Sequence, residues 1–140
     1  MKVVLQRYND TGDRIFKASQ VKPRTEIFEQ ALLGMKVPLE IISRITIVIE
    51  FRFMIPDGAM ATLGNNQFKV YLRSQQTWRS SLNEVVAHEL KHVAIEIHRP
   101  KEFRTDGKKK GPYKWEELDC TRAENKWGKL DYFEDLTPRL

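Results

Sequence analysis

Two histidines four residues apart, with a glutamate directly after the first, stand in the segment Val85–Ile97, VVAHELKHVAIEI. On a helix, positions i and i+4 lie one above the other, so His88 and His92 can aim their imidazoles at one ion from a single face. Zinc suits such a pair. It takes neutral imidazole nitrogen in a tetrahedral shell, and a hydrolytic site keeps three protein ligands and leaves the fourth position to water. Glu89 then stands beside that water, where its carboxylate can take a proton as the water attacks a carbonyl. The competing reading is a core helix carrying two hydrogen-bonded histidines, and it gives no reason for a glutamate at that place.

These residues need a helix to hold them. Ser81-Leu82-Asn83-Glu84 has the form of a capping box, with Ser81 as N-cap and Glu84 at the third helical position. Leu82, Val86, Leu90, Val93 and Ile97 then recur at helical spacing as one apolar stripe, and the histidines fall on a neighbouring face with Val85 and Ile95. One side of the helix is therefore expected in the core and the next side along a cleft. Lys91, between the histidines, must carry its ammonium to solvent along its aliphatic stem.

A third donor must come from elsewhere. The stretch WEELDCTRAE, residues 115–124, is compatible with a helix and rich in carboxylates. At 3.6 residues per turn, Glu116, Cys120, Ala123 and Trp127 stack on one face, flanked by Trp115 and Leu130. Glu116 thus projects from an apolar face, where a carboxylate is costly unless something pairs with it. A zinc ion would do so, and Glu116 is the expected third ligand. Glu117 follows it if the helix is rotated, and Glu124 comes after that. Without a metal, Glu116 would need a buried hydrogen bond or salt bridge. Glu117 and Glu124 share their side with Thr121 and Gly128, where solvated surface is the default. Asp119 is the expected acceptor for the second N–H of a ligand histidine, and Cys120 reads as a small buried residue.

The rest of the chain must build a domain around these two helices. Its 140 residues suit a single domain, 1–140, with a core that needs no staples. One cysteine excludes an internal disulfide, and no apolar run is long enough for a signal peptide or a membrane span, so a cytoplasmic protein is expected. Lys2–Tyr8 reads as a short strand, residues 9–24 as irregular, and Glu26–Leu33 as a helix with Thr25 as N-cap and Gly34 as its stop. Ile45, Ile47, Ile49, Phe51 and Phe53 alternate with more polar residues in a half-buried strand. Turn signals at Pro56-Asp57-Gly58 and Gly64-Asn65-Asn66 bound a strand near Ala59–Leu63, and Phe68–Arg73 follows as another. Residues 99–112 read as an exposed basic loop, and 133–140 as a frayed or docking tail.

The net charge of +5 permits an acidic partner. Lys101, Arg104, Lys108, Lys109, Lys110 and Lys114 would concentrate positive charge over 101–114. Nucleic acid is one partner for such a patch, but a solubilising loop is favoured because no interleaved aromatic platform accompanies it. His98 reads as a helix-end residue near the C-terminal dipole. Tyr71 and Tyr113 are candidate oxyanion donors, and Trp78, Trp115 and Trp127 are packing residues.

This order of elements resembles the upper half of a zincin metallopeptidase, and HExxH followed by a loop and a Glu-bearing helix resembles the gluzincin arrangement. The compact size, with Ala123 seven residues after Glu116, is similar to ImmA/IrrE-type and SprT-like small metallopeptidases of bacteria and phages. The likeness covers about Asn66–Leu130. Cys120 stands where Asp or Asn is usual, with Asp119 one position early. The resemblance implies an α+β, zincin-like fold: a small antiparallel or mixed sheet packed on the HExxH helix, with a C-terminal helix supplying the third ligand. It further implies Zn2+ held by His88, His92 and Glu116, with Glu89 as general base and a protein or peptide substrate laid along an edge strand, Phe68–Arg73. Two other functions fit the same residues. One is a SprT-like, DNA-associated protease recruited through the basic loop. The other is a non-catalytic nucleic-acid or protein-binding module with a degenerate site.

Overall fold

Between Thr46 and Arg52 the alternation of apolar side chains organises a mixed sheet. The computed structural model of the chain describes residues 1–6, 21–52, 58–73, 80–99 and 114–135. Its main sheet contains β1 (Lys2–Gln6), β3 (Thr46–Arg52), β4 (Gly58–Gly64) and β5 (Gln67–Arg73), in the order β1-β3-β5-β4. β1 and β5 both run parallel to β3, and β4 is antiparallel to β5. The register sets Ile47 beside Phe68, Ile49 beside Val70 and Phe51 beside Leu72, so one face is a continuous apolar layer. Asn65 and Asn66 turn the β4–β5 hairpin with φ of 44° and 61°. Two successive left-handed residues in a two-residue loop are what a type I′ hairpin requires, and asparagine tolerates that conformation well.

The apolar layer is covered by α3 (Ser80–His98), whose Leu82, Val86, Leu90 and Val93 are buried, and by α1 (Thr25–Gly34) through Phe28, Ala31 and Leu32. α3 begins one residue ahead of the expected N-cap Ser81. α4 (Lys114–Trp127) lies antiparallel along α3. Asn83, buried in the first turns of α3, ties the segment just after α4 to α3. Its Oδ1 accepts the Tyr132 backbone N–H at 3.1 Å, and its Nδ2 donates to Asp131 at 3.4 Å. Tyr132 and Phe133 then pack edge-on against Phe28.

The α+β class and the mixed sheet agree with expectation, and four details differ. Val21–Pro23 (β2) and Phe133–Asp135 (β6) form a second, two-stranded antiparallel sheet, so parts of the supposed irregular stretch and tail are ordered by pairing with each other. Leu39–Ile42 form a four-residue helix, α2, too short to show a period. α1 takes Arg24 rather than Thr25 as its N-cap and runs through Gly34. Finally, β5 is paired on both sides and cannot be an edge strand; the edge strands are β1 and, next to β5, β4, which has no second partner among the described residues. No described helix is long and apolar enough to cross a membrane. Residues 100–113, with the basic loop and Tyr113, lie outside the described residues, as do Phe53, Trp78 and the last five residues.

Candidate metal centre

The antiparallel packing of α3 and α4 turns two i, i+4 ladders toward each other. Nδ1 of His88 lies 2.6 Å from Oε1 of Glu124, and Nδ1 of His92 lies 2.6 Å from Oε2 of Glu116. An ionised carboxylate only accepts, so both imidazoles donate from Nδ1, and their Nε2 atoms carry lone pairs when the rings are neutral. Those two Nε2 atoms converge on one side chain. Oε1 of Glu117 is 2.9 Å from Nε2 of His92, and Oε2 is 3.3 Å from Nε2 of His88.

This arrangement leaves acceptor facing acceptor. Two imidazole lone pairs pointed at a carboxylate repel unless positive charge lies between them, supplied either by protons on the rings or by a cation. A divalent metal fits the donor set: two imidazole nitrogens and a carboxylate oxygen, with the remote ring nitrogens held by further carboxylates. His92 and Glu116 are buried, His88 and Glu117 less so, which leaves the centre open on one flank.

Glu89 is buried, with 4 % of its surface exposed, and approaches the edge strand. A Cβ on Gly58 would fall 3.2 Å from Oε2 of Glu89 and 2.6 Å from a methyl of Val85. Glycine at this end of β4 therefore lets the strand backbone run close beside the carboxylate. Cys120 is fully buried between the two helices. Its Sγ and one ring nitrogen from each of His88 and His92 lie within 4.8 Å of one another, so the thiol is a further candidate donor. Burial pushes the Cys120 thiol well above its ordinary range, and the neighbouring Glu117, Glu116 and Glu89 push it the same way.

His88 and His92 are thus brought together as the spacing implied, and Glu89 is buried beside Gly58. Glu116 is buried on the apolar face as expected, but its partner is the Nδ1 side of His92. Glu117 and Glu124, expected on the solvated side, also reach the histidines, from the margin of the buried α4 face that carries Glu116, Cys120 and Ala123 as the wheel predicts. Asp119 meets no histidine and pairs with Arg122 at 3.5 Å. His98 reaches the Met35 carbonyl at 3.4 Å. The Tyr71 ring sits between the Arg52 and Lys69 cations at 4.5 and 5.3 Å, on the sheet face away from Val70 and Leu72. The roles of Cys120 and Gly58 were not anticipated. One signal was available: Glu116, Cys120 and Glu124 repeat at four-residue spacing, which matches the histidine pair on an antiparallel neighbour.

Comparison with protein-family models, with curated proteins and with solved structures finds no match for this chain.

Proposed function

We propose that the chain is a zincin-like, zinc-dependent peptidase. His88 and His92 would hold the ion through Nε2, and the geometry favours Glu117 over Glu116 as the carboxylate ligand. The observation that carries this reading is the convergence of both Nε2 atoms on Glu117 while both Nδ1 atoms are taken by Glu116 and Glu124. Zinc, when bound, supplies Lewis acidity and brings the pKa of a coordinated water near neutrality.

The remaining work falls to the protein. Glu116 and Glu124 fix the tautomer and tilt of the rings. Glu89, low in exposure beside the edge strand, accepts a proton from the attacking water and returns it to the leaving amine. β4, which has no second partner among the described residues, would offer its outer edge to an extended peptide, so the main chain would be bound by strand addition and brought past Glu89. The substrate is accordingly a protein or peptide in extended form.

The test is zinc stoichiometry together with hydrolysis of an unstructured protein by wild type and Glu89→Gln. About one zinc per chain in both proteins, with cleavage in wild type alone, is the expected result. A folded wild type that retains no zinc, or equal cleavage by both, overturns the reading and leaves a binding module as its successor.

A further inference from the structure

Away from the histidines, a recess of ≈ 290 Å³ opens between the end of α1 and the two long helices. Lys36, Lys91, Arg122 and Lys126 line it, with Asp119 and the indole of Trp127. Among the described residues, four cations therefore meet one carboxylate. Among the described residues Arg122 pairs with Asp119, whereas Lys36, Lys91 and Lys126 take part in no ion pair. Lys126 instead lies over the Trp127 ring, 5.2 Å from its centroid. Such a concentration of one sign of charge around a concave wall repels itself and attracts a compact anion.

A second observation concerns the backbone. α1 ends in a full Schellman motif: the Val37 N–H bonds the Leu32 carbonyl at 3.1 Å and the Lys36 N–H bonds the Leu33 carbonyl at 3.0 Å. The residue in the left-handed position of that motif is usually glycine. Here it is Lys36, with φ of 68°. A side chain with a Cβ is disfavoured in that conformation. Lysine stands where glycine would fit with less strain, and Lys36 lines the recess. Glycine occurs two residues earlier, where the Trp127 ring lies against Gly34 so closely that a Cβ would fall 2.0 Å from it. The indole wall is thereby set in place.

We propose that this recess is a binding site for a phosphate-bearing anion. Arg122 can present two parallel N–H donors to phosphate oxygens, and the three lysines neutralise the charge as point cations. The size lies at the small end of ligand sites, suited to one phosphate group and its immediate attachment. The occupant would touch α3 at Lys91 and α4 at Arg122 and Lys126, joining the helix of the histidines to the helix of the carboxylates.

The experiment is thermal unfolding of the full chain in chloride buffer at constant ionic strength, titrated with inorganic phosphate. Wild type is expected to gain several degrees in midpoint as phosphate saturates, and Lys36→Gln combined with Arg122→Gln to lose that gain. Lys36→Gly separates the two roles of this residue. It should unfold at a higher midpoint than wild type without phosphate, because the strain is gone, yet gain less on addition. A wild-type midpoint indifferent to phosphate, or an equal rise in the double variant, overturns the site. A short single-stranded oligonucleotide added in competition identifies the source. Competition dependent on Lys36 and Arg122 assigns the phosphate to a nucleic-acid backbone, and its absence assigns it to a free phosphorylated compound; either result upholds the site.

Discussion

Oε1 of Glu117 lies 2.9 Å from Nε2 of His92, the ring nitrogen opposite the one that Glu116 engages. The two adjacent glutamates therefore have separate duties, and their variants should separate as well. Glu117→Ala removes a direct donor and should reduce zinc affinity by more than about 100-fold. Glu116→Gln and Glu124→Gln remove only the support of a ring and should cost about 10- to 100-fold each. Competition with a chromophoric chelator measures all three. A larger loss for Glu116→Gln than for Glu117→Ala would reassign the ligand.

The thiol of Cys120 competes for the same role. Burial raises its pKa, with Glu117, Glu116 and Glu89 adding to the rise, which disfavours a free thiolate, and a carboxylate already spans both Nε2 atoms. The cobalt-substituted protein should accordingly show no thiolate-to-metal charge-transfer band, and Cys120→Ser should keep its cobalt spectrum. Such a band in wild type, lost in Cys120→Ser, would place sulfur in the coordination shell and make the set His88, His92 and Cys120.

Gly58 tests the link between the edge strand and the general base. A methyl there would meet Val85 at 2.6 Å and Glu89 at 3.2 Å, so β4 or the α3 side chains must shift. Overpacking of this kind costs about 1–3 kcal/mol. Gly58→Ala should lower the unfolding midpoint and cut peptide hydrolysis while zinc content stays at the wild-type value. Unchanged hydrolysis would show that β4 does not deliver the substrate to Glu89.

Legibility followed the range of the interactions. His88, Glu89 and His92 could be read because a helical repeat within five residues sets their geometry. The strands could be read from alternation, as Ile47, Ile49 and Phe51 show. Which carboxylates of α4 reach the histidines was not local: it depends on how α4 packs on α3, and the chain just beyond α4 is held by Asn83 through the Tyr132 backbone and Asp131, a contact across nearly fifty residues. An ideal wheel therefore put Glu116 on the metal side and Glu117 in solvent. The edge strand was misplaced for a similar reason. The hairpin was visible in Asn65-Asn66, but which of its two strands would dock on β3 was settled by the match of Phe68, Val70 and Leu72 to the β3 apolar face. Likewise, Gly34 looked like a helix stop, whereas its small size serves Trp127 and the left-handed position falls to Lys36.

Alkaline unfolding should be steepened by Tyr132. Its phenol is fully buried, donates to the Trp127 carbonyl at 2.7 Å, and has its pKa raised by burial. The unfolded chain releases this proton near pH 10, while the folded chain keeps it. Stability is thus fully present below about pH 10 and falls above it by about 1.4 kcal/mol per pH unit until the folded group titrates. Tyr132→Phe removes that dependence and forfeits a hydrogen bond worth about 1 kcal/mol. In a Cys120→Ser background, where the buried thiol no longer adds its own alkaline loss, the variant should be less stable at pH 8 and show a flatter decline above pH 10. Denaturant unfolding across that range gives both slopes. Parallel curves for the two proteins would mean that the phenol ionises as readily folded as unfolded.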